Sequence, residues 1–199
     1  MAATASPQGL KPINRLGGLP YAGATRELAV TTNNTNAIFT YQGVNIVAGV
    51  PTGIVTTSPT TTLNTSTPVG IMVGCRYVDA VGRQIFAQYL PAGAVTAGYT
   101  NIIIQIVDDP NALFEIQATA AVTAASIGLN APMTMTAGST FTGNSKWALT
   151  AASIAATSSL ALRIVDLVDR AGSVAGDAFT DCIVKWNVGV HAYNQGTGQ

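Results

Sequence analysis

From Val69 onward, short apolar runs alternate with turn residues at a spacing that leaves little room for helix. Val69–Tyr77 and Gln84–Leu90 read as strands joined by Asp79-Ala80-Val81-Gly82, with Asp first and Gly last, as a type I hairpin connection prefers. Pro91-Ala92-Gly93 closes the second strand. Ile102–Val107 and Leu113–Thr119 read as another strand pair around Asp108-Asp109-Pro110-Asn111, and Lys146–Leu149, Leu160–Val168 and Cys182–Val190 as later strands. Two segments compete for helix. Ala118–Ile127 is rich in Ala, but Thr119, Val122, Thr123 and Ser126 dilute its propensity, so loop or irregular strand competes. Trp147–Ser159 has room for a turn or two and no amphipathic stripe. The expected fold is mainly β: an antiparallel barrel or sandwich with an extended N-terminal arm and little helix.

The first third is irregular. Pro7, Gly9, Pro12, Gly17, Gly18, Pro20 and Gly23 interrupt Met1–Ala24 too often for a helix or a long strand. Apolar residues recur between them, which describes an extended arm that docks on something rather than a floppy tail. The arm's candidate docking residues are Leu10, Pro12, Ile13, Arg15, Leu16 and Tyr21. Short β-prone pieces follow at Ala37–Tyr41 and Val44–Val50, then a Thr/Ser/Pro/Asn loop at Thr56–Pro68. The expected division is therefore residues 1–68, arm plus irregular region, and 69–199, a barrel-like domain.

Charge limits the partners. No Asp, Glu, Lys or Arg occurs from Leu28 to Cys75, and charged residues make up 9% of the chain, with a formal net charge of zero. Ordinary soluble domains are about 25% charged. A surface so poor in ions, with little mutual repulsion, invites association and can lie against another protein without desolvating charges. Phosphate binding needs a basic patch, and none is visible, so nucleic acid is not an expected partner. No apolar run approaches the ~20 residues of a membrane span, so a membrane is not expected either. At 199 residues and 48% hydrophobic the chain has enough apolar mass for a core. Met1–Lys11 lacks a basic stretch followed by an apolar one, so no secretory signal is expected. Without secretion, the glycosylation-pattern matches at Asn33 and Asn64 carry little meaning.

Chemistry is sparse. Cys75 and Cys182 lie in β-like apolar segments and read as core thiols, with a disulfide across paired strands as the alternative. The single histidine, His191, has no recognisable partner set, and no nucleophile elbow or phosphate loop appears, so no catalytic residue, metal or cofactor is expected. Asp108 and Asp109 are adjacent, so on a strand they point to opposite faces and make a poor acid/base pair. With Asn111 and Glu115 they suit three roles: capping a turn before Pro110, holding a hard cation, or forming ion pairs between subunits. Phe86, Tyr89, Phe114, Trp147 and Trp186 occupy strand positions and are expected in the core.

Three blocks carry a family likeness: Val73-Gly74-Cys75-Arg76-Tyr77-Val78-Asp79 with Gly82, Phe86 and Tyr89–Gly93; Val107–Gln117 with its Asp-Asp-Pro-Asn-x-Leu-Phe-Glu core; and Leu162–Asp169 followed by Val184-Lys185-Trp186-Asn187. Over residues 69–191 the chain resembles the capsid decoration, or cement, proteins of tailed bacteriophages, and Gly9–Tyr21 is similar in style to their N-terminal arm. The resemblance implies a barrel-like, usually trimeric protein at three-fold and quasi-three-fold positions on the outer face of the head. Its partner would be the major capsid protein, it would be made in the host cytoplasm, and it would carry no catalysis. Two other functions compete: another phage virion β module, such as a head fibre or tail component, and a carbohydrate-binding β-sandwich.

Overall fold

The structure, a computed structural model, describes residues 4–187 apart from 33, 35, 48–49 and 54–67. The Thr-rich loop up to Thr67, the acceptors Asn33 and Asn64, and His191 lie outside the described residues. The strands are β1 (Lys11–Arg15), β2 (Leu19–Pro20), β3 (Arg26–Ala29), β4 (Ile38–Phe39), β5 (Gly43–Val47), β6 (Val50–Gly53), β7 (Gly70–Val78), β8 (Gln84–Ala87), β9 (Tyr89–Leu90) and β10 (Thr100–Val107). They continue with β11 (Ala112–Gln117), β12 (Asn130–Ala131), β13 (Met133–Thr134), β14 (Ala148–Leu149), β15 (Leu162–Leu167) and β16 (Asp181–Trp186). The helix candidates shrink to single 3₁₀ turns at Ala124–Ser126 and Ala151–Ser153.

The protein is mainly β and its ladders are antiparallel. One six-stranded sheet runs β12-β15-β16-β11-β1-β2, a second six-stranded sheet runs β3-β10-β7-β5-β6 with β8 also paired to β7, and β13 with β14 and β4 with β9 form two-stranded pairs. Neither six-stranded sheet closes on itself, so the barrel alternative is not formed, and the open sheets are compatible with a sandwich. In the second sheet β10 lies along one edge of β7. The other edge is shared, β5 meeting Gly70 and Ile71 while β8 meets Cys75 to Val78. The β7–β8 hairpin forms where the turn signal places it. Asp79 Oδ1 accepts the Val81 and Arg83 N–H groups, and Oδ2 accepts Arg83 Nε–H at 2.8 Å.

One expected pairing is wrong. β10 and β11 do not pair with each other: β10 lies between β3 and β7, and β11 between β1 and β16. Asp108–Asn111 is therefore a crossover between sheets, not a hairpin. The arm differs from expectation as well, because Lys11–Arg15 is itself a strand paired to β11 of the same chain. Strands from the first 53 residues pair directly with strands beyond residue 69 in both sheets.

Two apolar cores result. The first holds Leu10, Phe114, Trp147, Ile164, Val184 and their neighbours; the second holds Val44, Met72, Cys75, Tyr77, Ile104 and Ile106 among others. Adjacent strand residues face opposite ways. At one end of the second sheet that alternation sends Ile71 and Val107 into the first core and Met72 and Ile106 into the second. This is why Val69–Val73 reads as an unbroken apolar run rather than an alternating one.

The double-faced packing makes a specific prediction. Ile71→Ala and Met72→Ala each destabilise the protein by about 2–5 kcal/mol in urea unfolding. A strand with one buried face would be sensitive at only one of these two positions.

Candidate interaction surfaces

The Asp-Asp-Pro-Asn block sits at the seam between the sheets. Asp109 meets Arg15, the last residue of β1, with Nε–Oδ2 at 2.5 Å, and Asp108 meets Arg26, the first residue of β3, at 3.0 Å. Because neighbouring side chains on extended backbone diverge, each carboxylate reaches a different sheet. Asp109 Oδ1 also accepts the Asn111 N–H at 2.8 Å, and Asn111 O accepts the Leu16 N–H at 2.7 Å. Turn capping, one of the three roles expected, is thus present. The ion pairs form as well, within the chain. Glu115 is on β11, where Arg170 reaches it at 2.7 Å and bridges to Asp181 of β16 at 2.5 Å. The hydrogen bond to Glu115 raises the Arg170 pKa. The four acidic and amide candidates therefore serve two separate places, the seam and the β11–β16 edge.

The arm candidates divide. Leu10 is wholly buried in the first core, where its N–H donates to Tyr41 O at 2.9 Å. Gly9 before it has φ +83° and packs against the Tyr41 carbonyl so closely that a Cβ has no room. Pro12, Ile13 and Arg15 are half-buried. Tyr21 is half-buried too; its hydroxyl donates to Ala24 O, and burial, with Tyr41 nearby, raises its pKa. Only Leu16 faces outward, joined by Leu19 of β2.

The charges largely satisfy one another. Arg15, Arg26, Arg76, Arg83 and Arg170 are each paired with a carboxylate of the same chain. Glu27, held by Arg76, and Asp79, held by backbone and side-chain N–H groups of Arg83, both titrate below the usual carboxylate range. Among the described residues, no group of three or more His, Cys, Asp and Glu is placed to hold a metal ion, and no helix is long and apolar enough to cross a membrane.

Two exposed aromatics were not expected. Phe114, Trp147 and Trp186 are buried and Tyr89 stacks on Phe39, but Phe86 is 75% exposed, and Phe141 in the 139–144 loop is 97% exposed. Phe86 is flanked by Ile85 and Ala87, so the apolar run does not say which side faces out. Phe141 did carry a signal: it stands between threonines and close to glycines, a turn context in which no sheet face can bury it. Beside Arg76, the cross-strand partner of Phe86, a cleft of about 680 Å³ is lined by Gln84, Tyr99, Asn101 and Ile103 among others. Tyr77 and Tyr99 stack at its floor with ring centroids 4.8 Å apart, and burial raises the Tyr77 pKa.

Both cysteines are free and buried, Cys75 in the second core and Cys182 in the first. Burial pushes each thiol up to about 12. They are core thiols, as one of the two alternatives held.

In comparisons with known proteins, no family model matches the chain, and neither a curated protein nor a solved structure matches it.

Asp109→Asn keeps the cap on Asn111 and loses the ion pair, so it costs up to about 1 kcal/mol. Asp109→Ala loses both and costs about 1 kcal/mol more in denaturant unfolding. The thiols give a pH prediction. A group whose pKa is raised by folding stabilises the fold below its unfolded value and loses that contribution as pH rises. Melting temperature accordingly falls between about pH 9 and pH 12, and less so in Cys75→Ala/Cys182→Ala. In the native protein at pH 8 neither thiol reacts with an alkylating reagent; both react in urea.

Proposed function

We propose that the chain is a virion structural protein of a tailed phage, which binds the outer surface of the assembled head and cements neighbouring capsomers. The observation that carries this reading is the pairing of charges within the chain. Five arginines are neutralised internally on an already charge-poor surface, which leaves small, weakly polar groups facing out. The stretches between these pairs carry few ions and are covered at little desolvation cost. The resemblance of the hairpin, Asp-Asp-Pro-Asn and Leu162–Asp169 blocks supplies the partner, the major capsid protein, and the trimeric state. Cementing needs no chemistry. A subunit that touches two capsomers raises the barrier to their separation because both contacts must break together.

The outward residues of the N-terminal segment, Leu16 and Leu19, are the ones available to a neighbour. Deleting Met1–Ala24 removes β1 and the buried Leu10 along with them, so point substitutions test the contact more cleanly. The cleft lined by Gln84 and Arg76, with the stacked Tyr77 and Tyr99 rings in its lining, favours a carbohydrate-binding sandwich as the second reading.

Purified protein added to heads assembled without it should bind saturably and raise the temperature at which the heads release DNA, measured by light scattering and dye access. Leu16→Ser/Leu19→Ser should weaken that binding without changing the melting temperature by more than a degree or two. No affinity for heads, with binding on a glycan array, would replace the first reading by the second.

A further inference from the structure

One end of the second sheet opens into the cleft of about 680 Å³ beside Arg76. There β3 and β7 run out at Ala29 and Val78, while β8 and β10 begin at Gln84 and Thr100. The ladder is irregular at this end. Thr100 pairs with Val78 and Ile103 with Arg76, so β10 uses one residue more than β7 over the stretch. That is a β-bulge, and Asn101 within it adopts φ +50°, the left-handed region that Asn tolerates better than most residues. Bulges re-aim side chains. Ile102 and Ile103, which plain alternation would send to opposite faces, both line the cleft.

One wall is a braced turn. Ala97 N–H donates to Gly93 O at 2.9 Å and Tyr99 N–H to Ala94 O at 3.0 Å, and Gly93 N–H donates to Asn34 O at 2.8 Å. Tyr99 stacks on the buried Tyr77 ring with the two planes 4° apart. Rings already in contact leave no slot between them for a flat base. What remains is the outer side of half-buried Tyr99, a one-sided aromatic platform.

The lining chemistry selects the ligand. Its one ionic side chain, Arg76, is neutralised by Glu27 at 3.1 Å, which leaves no unpaired charge for a phosphate or a carboxylate. Gln84 and Asn101 present amides, and Thr31 and Thr100 present hydroxyls, all on exposed residues. Among the described residues neither amide is tied to another group. Amides and hydroxyls both donate and accept hydrogen bonds, as sugar hydroxyls do. The C–H groups of a sugar ring supply an apolar face for an aromatic side chain. The volume falls within the roughly 300–1,000 Å³ of small-ligand pockets.

We propose that this cleft is a saccharide site, in which Tyr99 packs on the C–H face of a neutral sugar ring and Gln84 and Asn101 hydrogen-bond its hydroxyls. The proposal deepens the carbohydrate reading, on which it rests, by giving it a place and a set of contacts. It is compatible with a subunit that also binds heads.

The test is saturation-transfer NMR on the purified full chain. The probes are methyl α-mannoside, methyl α-glucoside, methyl β-galactoside, N-acetylglucosamine and, for comparison, adenosine; the same proteins are applied to a glycan array. Wild type is expected to transfer saturation to at least one of the sugars, most strongly to the C–H protons of one ring face. Gln84→Ala and Asn101→Gly should each weaken that binding about tenfold, as the loss of one hydrogen bond does. Glycine keeps the left-handed backbone at 101, and both side chains are exposed, so both variants should melt within a degree or two of wild type. Tyr99→Phe should bind within about threefold of wild type and Tyr99→Ala not measurably. Phe141→Ser, which removes a 97% exposed ring outside the cleft, should bind as wild type. Sugar or array binding that persists unchanged in Gln84→Ala/Asn101→Gly overturns this site and leaves the carbohydrate reading standing. Wild type that binds neither the sugars nor the array overturns both. Saturation transfer to adenosine and to none of the sugars overturns the proposal in favour of a nucleoside.

Discussion

The chain passes between the two sheets twice at one place, and the arrangement of both sheets depends on that seam. Residues 16–25 carry it from β1 to β3, and residues 108–111 carry it from β10 to β11. Since β1 lies antiparallel to β11 and β3 antiparallel to β10, the N-terminal stretch is zipped along the path of residues 100–117. Arg15–Asp109 and Arg26–Asp108 join the two paths where they leave each sheet. Half-exposed ion pairs such as these contribute little to stability. What holds the seam is backbone ladder and buried Leu10; what the carboxylates add is direction, one toward each sheet.

That geometry makes the N-terminal residues part of the core rather than an appendage. Gly9 and Leu10 occupy a socket formed by Tyr41, Ser145 and Trp147, so the segment is packed into its own chain. The surface left over is unusual in what it lacks. Most arginines already have partners, and among the described residues few large apolar side chains are exposed. On the proposed reading, the protein meets its neighbours through a few apolar points on a neutral background. In the proposed role, strength then comes from the number of such contacts across a shell more than from any one of them.

Much of the local structure was legible in the residues. The run from Val69 to Leu90 carries apolar stretches, an Asp-to-Gly turn and a Pro-Gly stop, and the hairpin forms there with Asp79 capping its own turn. Asp109 capping the turn at Asn111 follows from Asp before Pro in the same local way. The buried thiols follow from Cys in apolar strands. Phe86 was not legible, because Gln84-Ile85-Phe86-Ala87 presents apolar residues to both faces and only the pairing with Arg76 turns the ring outward.

The residues by themselves determined that the chain is mainly β, where the longer strands from Val69 onward and the β7–β8 turn lie, and that the chain is poor in ions. These are properties of alternation, turn chemistry and composition, which act over a few residues. Only the tertiary structure decided which strand lies beside which. β10 and β11 are neighbours in sequence yet belong to different sheets, and β1, which reads as an arm, is paired in its own chain. Backbone hydrogen bonds are the same whichever strand supplies them, so partner choice is settled by which side chains can be buried together. Ile71 with Val107 in one core, and Met72 with Ile106 in the other, settle it for this chain.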